Sequence, residues 1–169
     1  MRREEKQNTF TSHAPHNPRF IADAMLGRLA RWLRFLGFDT LYYPDISDSR
    51  LIRIAREQDR LILTRDTRLV KAKAARDYLL INANDSFSQL IEVIKSLDLK
   101  EFSSPGRCVK CNGRLTEIAD KTEVRDSLPE FVFLHFNTFL RCDNCGKIYW
   151  EGTHPQKFRE ELGSIIRQI

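Results

Sequence analysis

Short apolar runs alternate with amphipathic stretches along the first part of the chain. Leu61-Ile62-Leu63 is a continuous apolar run, which is typical of a parallel strand that is buried on both faces. Residues 24–36 show helical spacing, with leucines on one face and arginines on another. These patterns predict strands at 19–22, 39–43, 60–64 and 78–82, and helices at 24–36, 51–58, 67–76 and 86–97. Strands that alternate with helices indicate an α/β fold with a parallel sheet and right-handed crossovers.

The composition of the chain changes near Ser103-Ser104-Pro105-Gly106, and this change predicts a boundary between two modules. Residues 1–18 are polar and without periodicity, so we expect a flexible tail there. The predicted domains are the tail at 1–18, an α/β domain at 19–102 and a second module at 103–169. In the second module we expect short strands near 115–119 and 139–141, a hairpin around 148–150 and a terminal helix at 155–169.

The cysteines of the chain form two Cys-x-x-Cys pairs, Cys108/Cys111 and Cys142/Cys145. Gly113 and Gly146 supply permissive backbone for a tight turn that points backbone N–H groups at the thiolate sulfurs. Two such turns can close a tetrahedral site around one zinc ion and leave no ligand position open for a substrate. The pattern therefore predicts a structural zinc ribbon. The alternatives are two disulfides or a redox pair.

The charge and hydropathy of the chain restrict its partners only slightly. The formal net charge is +5, and one zinc ion on four thiolates would reduce it to about +3. This excess argues only weakly for a nucleic-acid partner. No apolar run is long enough to span a membrane, and no signal peptide is recognisable. We therefore expect a soluble cytoplasmic protein in a reducing compartment, where disulfides are disfavoured. The sequence does not indicate the oligomeric state.

Acidic residues follow three of the predicted strands. Asp23 comes directly after the first strand, Asp66 comes shortly after the third, and Asp48 lies with Asp45 in the loop after the second. Ligands of open parallel sheets bind beyond the carboxyl ends of the strands, so these carboxylates would gather at one rim. Clustered carboxylates repel one another unless a cation lies between them. Their hard oxygen ligands suit Mg²⁺ or Mn²⁺, which can activate water for attack on a phosphodiester.

The same acids have a simpler interpretation as helix caps, because aspartate is a favoured N-cap and the candidates precede predicted helices. Arg65 could also pair with Asp66 and neutralise it. Arginines recur at i, i+3 and i+6 in the first helix and could hold phosphates beside a metal-bound scissile bond. The candidate phosphate contacts are Arg28, Arg31, Arg34 and Arg65. The alternative for the helix stripe is a solvated face.

Three separate motifs resemble one family. FIADAMLGRLARWLRFLGFD at residues 20–39 is very similar to the opening of the PIN-like RNase domain family that is named for the Mut-seven carboxy-terminal region. RLILTRD at 60–66 resembles the third-strand motif of that family. The paired cysteines and YWEGTH at 149–154 resemble its appended zinc ribbon. The resemblance runs from about residue 20 to about residue 162.

The resemblance implies a PIN-like three-layer α/β/α sandwich with a C-terminal zinc ribbon and the activity of a metal-dependent ribonuclease. Asp23 and Asp66 match the acidic positions of the family, and Asp48 matches the loop acid, for which Asp45 competes. Asp85, after the fourth strand, could supply the fourth acid that is common in PIN domains.

The residues and the resemblance together predict a cytoplasmic endoribonuclease that depends on Mg²⁺ or Mn²⁺. In this interpretation Asp23, Asp48 and Asp66 hold the metal, and the ribbon extends the RNA-binding surface or supports the catalytic domain. One alternative is a non-catalytic RNA-binding or adaptor module with the same fold. Another is a phosphatase or a different phosphodiesterase that acts on small nucleotides. Convergent carboxylates favour the enzyme, whereas isolated helix caps favour the adaptor.

Overall fold

The computed structural model describes residues 18–71, 77–100, 102, 106–150, 160 and 163. The chain divides into two compact units, Met1–Asn112 and Gly113–Ile169. The strands and helices of the first unit are β1 (Phe20–Ala22), α1 (Gly27–Phe35), β2 (Thr40–Tyr42), α2 (Asp48–Glu57), β3 (Leu61–Thr64), β4 (Tyr78–Leu80) and α3 (Ser86–Ser96). Those of the second unit are β5 (Leu115–Glu117), α4 (Glu130–His135), β6 (Phe139–Cys142) and β7 (Ile148–Trp150).

A four-stranded parallel sheet with the order β2-β1-β3-β4 forms the centre of the first unit. The chain moves from β1 outward to β2, then crosses back over β1 to β3 and continues to β4. Right-handed crossovers in opposite directions place their helices on opposite faces of a sheet. Accordingly α1 lies on one face, where it contacts α3, and α2 lies on the other, where it contacts β1 and β3. The predicted α/β fold with a parallel sheet is confirmed.

The order in which strands are added to the sheet reverses between β1 and β3, and this reversal decides where a ligand site can form. Ala22 of β1 pairs with Leu63 of β3, so the residues that follow these two strands emerge side by side. The backbone N–H of Asp23 donates to the carbonyl of Leu63 at 3.0 Å. In open α/β sheets the crevice at such a reversal is where ligands bind.

The central strands are buried on both faces, as their apolar runs predict. Phe20, Ile21 and Ala22 are completely inaccessible to solvent. Ile21 belongs to a core cluster with residues of α2 such as Leu51 and Ile54. This burial fixes the ends of β1 and β3, which carry the candidate acids.

Several elements begin or end differently from the prediction. The segment predicted as one helix at 24–36 starts with a 3-10 turn, Ala24–Leu26, before α1 begins at Gly27. Helix α2 begins at Asp48 rather than at residue 51. In the helix predicted at 67–76, the described part forms a 3-10 turn, Leu69–Lys71. Residues 72–76 lie outside the described residues.

The second unit contains a three-stranded antiparallel sheet with the order β5-β6-β7. The pairing of β7 with β6 confirms the hairpin predicted around 148–150. A small core of Val124, Val132 and Phe139 packs between this sheet, a 3-10 helix at Lys121–Ser127 and α4. The predicted terminal helix at 155–169 lies outside the described residues except for Glu160 and Gly163, and residues 1–17 of the predicted tail lie outside them too.

Helices that could cross a membrane were not found in the described parts of the chain, where none is both long and apolar enough.

Candidate functional site

Asp23 lies at the carboxyl end of β1, and its side chain is buried and fully engaged. One carboxylate oxygen accepts a hydrogen bond from the backbone N–H of Met25 at 2.8 Å, which caps the 3-10 turn. The other oxygen accepts from the hydroxyl of Thr64 and from the backbone N–H of Arg65 at 3.0 Å. Three donors from two chain segments therefore fix the orientation of this carboxylate.

Thr64 connects Asp23 to Asp66. Its buried hydroxyl donates to Asp23 and accepts from the backbone N–H of Asp66 at 2.9 Å. Sequence reasoning missed this residue. A signal was present, because a hydroxyl at the end of a completely buried strand must find hydrogen-bond partners nearby.

Asp66 pairs with Arg68 and not with Arg65, which sequence reasoning had considered. The carboxylate accepts from the backbone N–H of Arg68 at 2.7 Å and from its guanidinium at 3.2 and 3.3 Å. The side-chain hydrogen bond to Arg68 is the largest cause that lowers the pKa of Asp66. Arg65 instead donates to the side chain of Asn84 at 2.8 Å.

Asp48 and Asp45 lie on the surface after β2. Asp48 is the first residue of α2, directly after the N-cap residue Ser47. It lies within electrostatic reach of Arg68: the hydrogen bond to Asp66 is the largest cause that raises the pKa of Arg68, and Asp48 contributes in the same direction. Asp48 and Asp66 therefore share one cationic neighbour.

Asp85 acts as a helix cap. Its carboxylate accepts from the backbone N–H groups of Phe87 at 3.1 Å and Ser88 at 2.9 Å, at the start of α3. The hydrogen bond to Ser88 is the largest cause that lowers the pKa of Asp85. This residue thus has the structural role that aspartate favours at an N-cap.

The acids are connected in pairs rather than in one cluster. Thr64 joins Asp23 to Asp66, and Arg68 lies near both Asp66 and Asp48. Among the described residues, the only group of three or more metal-ligating side chains close enough to hold one ion is the cysteine set described below. A Mg²⁺ or Mn²⁺ site at the acids stays a prediction.

A polar cleft of about 460 Å³ lies next to Asp23 in the chain, because its lining includes the following residue, Ala24. Its lining includes Arg28 and Arg31 of α1, Arg65 after β3, and Asn84 and Asp85 before α3. Three of the four predicted phosphate contacts therefore lie around one cleft.

Arg34, the fourth predicted phosphate contact, is buried and faces elsewhere. Its guanidinium donates to the carbonyl of Thr40 at 2.8 Å and to the carbonyls of Val109 and Lys110 at 3.2 Å each. Burial lowers the pKa of this guanidinium, and the charges of Cys108 and Cys111 partly offset the effect. Only 5 % of Arg34 is exposed, so its side chain is not accessible to an RNA phosphate as predicted.

The cysteine site is assembled. The Sγ atoms of the four cysteines lie within 4.8 Å of one another, and none of the four is in a disulfide. With zinc–sulfur distances of about 2.3 Å, tetrahedral coordination needs sulfurs roughly 3.8 Å apart, so this donor set fits one zinc ion. The four sulfur donors of this set belong to Cys108, Cys111, Cys142 and Cys145.

The two cysteine turns have the same backbone design. In the first knuckle, residues 108–111, the N–H of Asn112 donates to the carbonyl of Cys108 at 2.8 Å. In the second knuckle, residues 142–145, the N–H of Gly146 donates to the carbonyl of Cys142 at 2.9 Å. The residue after each knuckle is left-handed, with φ of 68° at Asn112 and 69° at Gly146.

The prediction that Gly113 supplies the permissive backbone of the first turn is wrong, because Asn112 takes that conformation. Gly113 instead allows a close approach. A Cβ atom there would come within 2.8 Å of the Cys142 sulfur and 3.0 Å of the Asn144 side chain.

Comparisons with known proteins agree with this architecture. A family model described as the Mut7-C RNAse domain matches residues 18–162, a span that contains every strand and helix from β1 to β7. The protein "Exonuclease mut-7" of Caenorhabditis elegans is 28 % identical over an alignment of 154 residues, and the match covers 83 % of this chain and 17 % of that protein. The chain thus spans a small part of this relative. No solved structure matches this chain significantly.

Proposed function

The chain belongs to the Mut7-C RNase domain family, and on that premise we propose that it is a metal-dependent ribonuclease. In this proposal Asp23, Asp48 and Asp66 hold a Mg²⁺ or Mn²⁺ ion, and the enzyme hydrolyses internal phosphodiester bonds of RNA. The observation that carries the proposal is the convergence of Asp23 and Asp66 on Thr64 between β1 and β3.

The acids provide the chemistry that such an ion requires. Their carboxylates are hard oxygen donors of the kind that Mg²⁺ and Mn²⁺ prefer. Arg68 is the present partner of Asp66, but 88 % of its side chain is exposed. Exposed ion pairs contribute little to stability, so Arg68 can give up this carboxylate to a metal at small cost. When bound, such an ion lowers the pKa of a bound water and stabilises the charge of the scissile phosphate.

The chain's own residues would orient the reactants. Three hydrogen bonds hold Asp23 in one orientation, so little reorganisation is needed when a substrate arrives. Arg28, Arg31 and Arg65 line the cleft that begins after Asp23 and would bind RNA phosphates there. Phosphate contacts position the strand but do not read its sequence, so this cleft predicts weak sequence preference.

We also propose that the four cysteines hold a structural zinc ion. Their sulfurs lie within 4.8 Å of one another, which is close enough for one ion, and the protein would supply all four ligands. A closed site of this kind contributes to folding rather than to catalysis. Its apparent binding energy is typically about 10–16 kcal/mol.

The test of the nuclease is cleavage of a labelled RNA hairpin in EDTA and in Mn²⁺, with zinc content measured in each sample because a chelator can also remove zinc. We expect cleavage that requires Mn²⁺ and falls at least about a hundredfold in Asp23→Asn. Asp59→Asn is the matched control, because Asp59 is exposed and lies before β3, at the opposite end of the sheet. Full cleavage by a folded Asp23→Asn protein would contradict the assignment.

The endonucleolytic mode has its own test. The proposal is that internal bonds are cleaved, whereas the curated relative is named an exonuclease. A circular RNA has no ends, so an endonuclease opens it and an exonuclease leaves it intact. We expect the circle to be opened in Mn²⁺. An intact circle beside a degraded linear RNA of the same sequence would assign the exonucleolytic mode.

The second candidate is a non-catalytic RNA-binding module. The engagement of Asp66 with Arg68 and the capping role of Asp85 favour it, because helix caps and ion pairs need no metal. RNA binding without cleavage by zinc-replete wild-type protein, in both Mg²⁺ and Mn²⁺, would select this candidate over the enzyme.

A further inference from the structure

The first knuckle belongs to the same compact unit as the parallel sheet, Met1–Asn112. It is anchored there by Arg34 near the end of α1. This guanidinium donates to the carbonyls of Val109 and Lys110, the two residues between the cysteines, and also to the carbonyl of Thr40 in β2. One buried side chain thus joins the knuckle backbone to a helix and a strand.

Asn112 forms a second anchor from within the turn itself. Its side-chain oxygen accepts from the backbone N–H of Thr40 at 3.0 Å, and its side-chain nitrogen donates to the carboxylate of Asp39 at 2.7 Å. β2 is an edge strand, and Asn112 satisfies a backbone donor at its start. The conformation that the knuckle requires, with φ of 68°, is the one in which these bonds form.

Asp39 is itself held in place. Arg60, which is buried, donates to both of its carboxylate oxygens at 2.7 and 3.2 Å. Arg107 lies 3.8 Å from the same carboxylate and donates to the carbonyl of Asn112 at 3.0 Å. Its backbone N–H donates to the carbonyl of Arg34 at 3.2 Å. The partners of Asn112 are therefore rigid, and their positions do not depend on the knuckle alone.

The second knuckle lacks the equivalent side chain. Gly146 occupies the position of Asn112, and a Cβ atom there would have no neighbour within 4 Å. The backbone turn therefore needs only a permissive residue at this position. The side chain of Asn112 must serve another purpose.

We propose that Arg34, Asp39 and Asn112 are positioning residues of the cysteine metal site, and that they link zinc binding to the packing of α1 and β2. Outer-shell partners orient the ligands of a metal site, and losing one typically weakens metal binding by about 10- to 100-fold. The linkage is reciprocal, so zinc must stabilise the contacts of α1 and β2 by the same factor. Helix α1 also carries Arg28 and Arg31, which line the polar cleft described above, here called the arginine cleft. Zinc would therefore stabilise this cleft as well.

The decisive variant is Asn112→Gly in the full chain. Glycine adopts a positive φ readily, so this change removes both side-chain bonds without backbone strain. We expect zinc binding to weaken about tenfold in competition with a chromophoric chelator. Asn137→Gly is the control, because Asn137 is an exposed residue of the second unit that accepts a bond from Lys121. Arg34→Lys is the second variant, since one ammonium cannot reproduce the bonds of the guanidinium fork.

Hydrogen exchange at the amide of Thr40 supplies a readout that does not involve metal affinity. In zinc-loaded wild type this amide should be protected, and chelation should speed its exchange relative to amides of β3. In Asn112→Gly it should exchange fast even with zinc bound. Unchanged zinc affinity in every variant that folds, or Thr40 exchange that does not respond to zinc removal, would overturn the proposal.

This inference rests on the proposed zinc site but not on ribonuclease activity. If wild-type protein binds no zinc, the zinc site fails. If wild type binds zinc and both folded variants bind it equally well, only the linkage fails. If Asn112→Gly does not fold, the zinc affinity of Arg34→Lys tests the linkage.

Discussion

The two candidate metal sites of this chain differ in how their ligands are engaged. At the cysteine site, the four sulfur atoms already lie within 4.8 Å of one another. At the acidic site, the carboxylates accept hydrogen bonds from hydroxyl, backbone or guanidinium donors, as Asp23 and Asp66 do. Cys-x-x-Cys turns bring ligands together in pairs by local geometry. The acids come from separate strands and must exchange existing partners for an ion.

The three arginines of α1 also differ from one another in what they contact. Arg28 and Arg31 line the cleft, whereas Arg34 is buried against the first knuckle. A helix turns about 100° per residue, so positions three apart drift by about 60° and position i+6 has rotated by about 120°. A stripe of three arginines therefore cannot all face one cleft on a straight helix.

The largest expected effect is the loss of zinc. Cys142→Ser should lower the free energy of unfolding by several kcal/mol, because zinc binding is coupled to folding. Chemical denaturation measures this change. A chelator should bring wild type down to the stability of the variant and leave the variant unchanged. If wild type has the same free energy of unfolding with and without chelator, its stability does not depend on zinc and this prediction is wrong.

Thr64→Val tests the connection between the acids. The change keeps the side-chain shape but leaves the N–H of Asp66 without its acceptor and Asp23 with one donor fewer. We expect a loss of about 1–3 kcal/mol in the free energy of unfolding, with a fall of roughly tenfold in Mn²⁺-dependent cleavage.

Thr40→Val is the matched control for Thr64→Val, since Thr40 is equally buried but donates to the carbonyl of Phe38 at the opposite end of the sheet. It should affect stability and spare cleavage. Equal activities of the two variants would show that Thr64 supports only the fold.

The arginine cleft predicts a change in the salt dependence of RNA binding. Each phosphate contact contributes about 0.7 to the slope of log K against log salt for a single strand. Arg28→Gln combined with Arg31→Gln should therefore reduce the slope by about 1.4. Arg53→Gln with Arg56→Gln has the same spacing on α2 and should leave the slope unchanged. A reduction of the same size in the α2 pair would indicate non-specific charge attraction.

The smallest expected effect is that of Arg68→Ala. The pair with Asp66 is exposed, so the melting temperature should not change measurably. The pKa of Asp66 should return upward toward its ordinary value of 3.8, which leaves the carboxylate ionised at neutral pH. Without this competitor, the Mn²⁺ concentration for half-maximal cleavage should fall by a few fold at most. A higher metal requirement would instead make Arg68 part of the active site.

Local pattern was sufficient for the strands, for the fold class and for the cysteine pairs that cluster in the second half of the chain. A buried parallel strand needs a continuous apolar run, and each Cys-x-x-Cys turn is decided within a few residues. The terminal positions of helices were less predictable. α2 starts at Asp48, and a 3-10 turn precedes α1 because the side chain of Asp23 caps it.

Only the tertiary structure decided which polar residues work together. Two partners of Arg34 lie 75 and 76 positions away in the chain, and two partners of Asn112 lie 72 and 73 positions away. Periodicity and spacing describe one element at a time, so they could not show that the stripe on α1 is split between two sites. The sequence by itself determined which residue types are available as metal ligands and the order of the elements. The packing of those elements decided that Asp23 meets Thr64 and that Asn112 meets β2, because these contacts depend on how distant segments fold together.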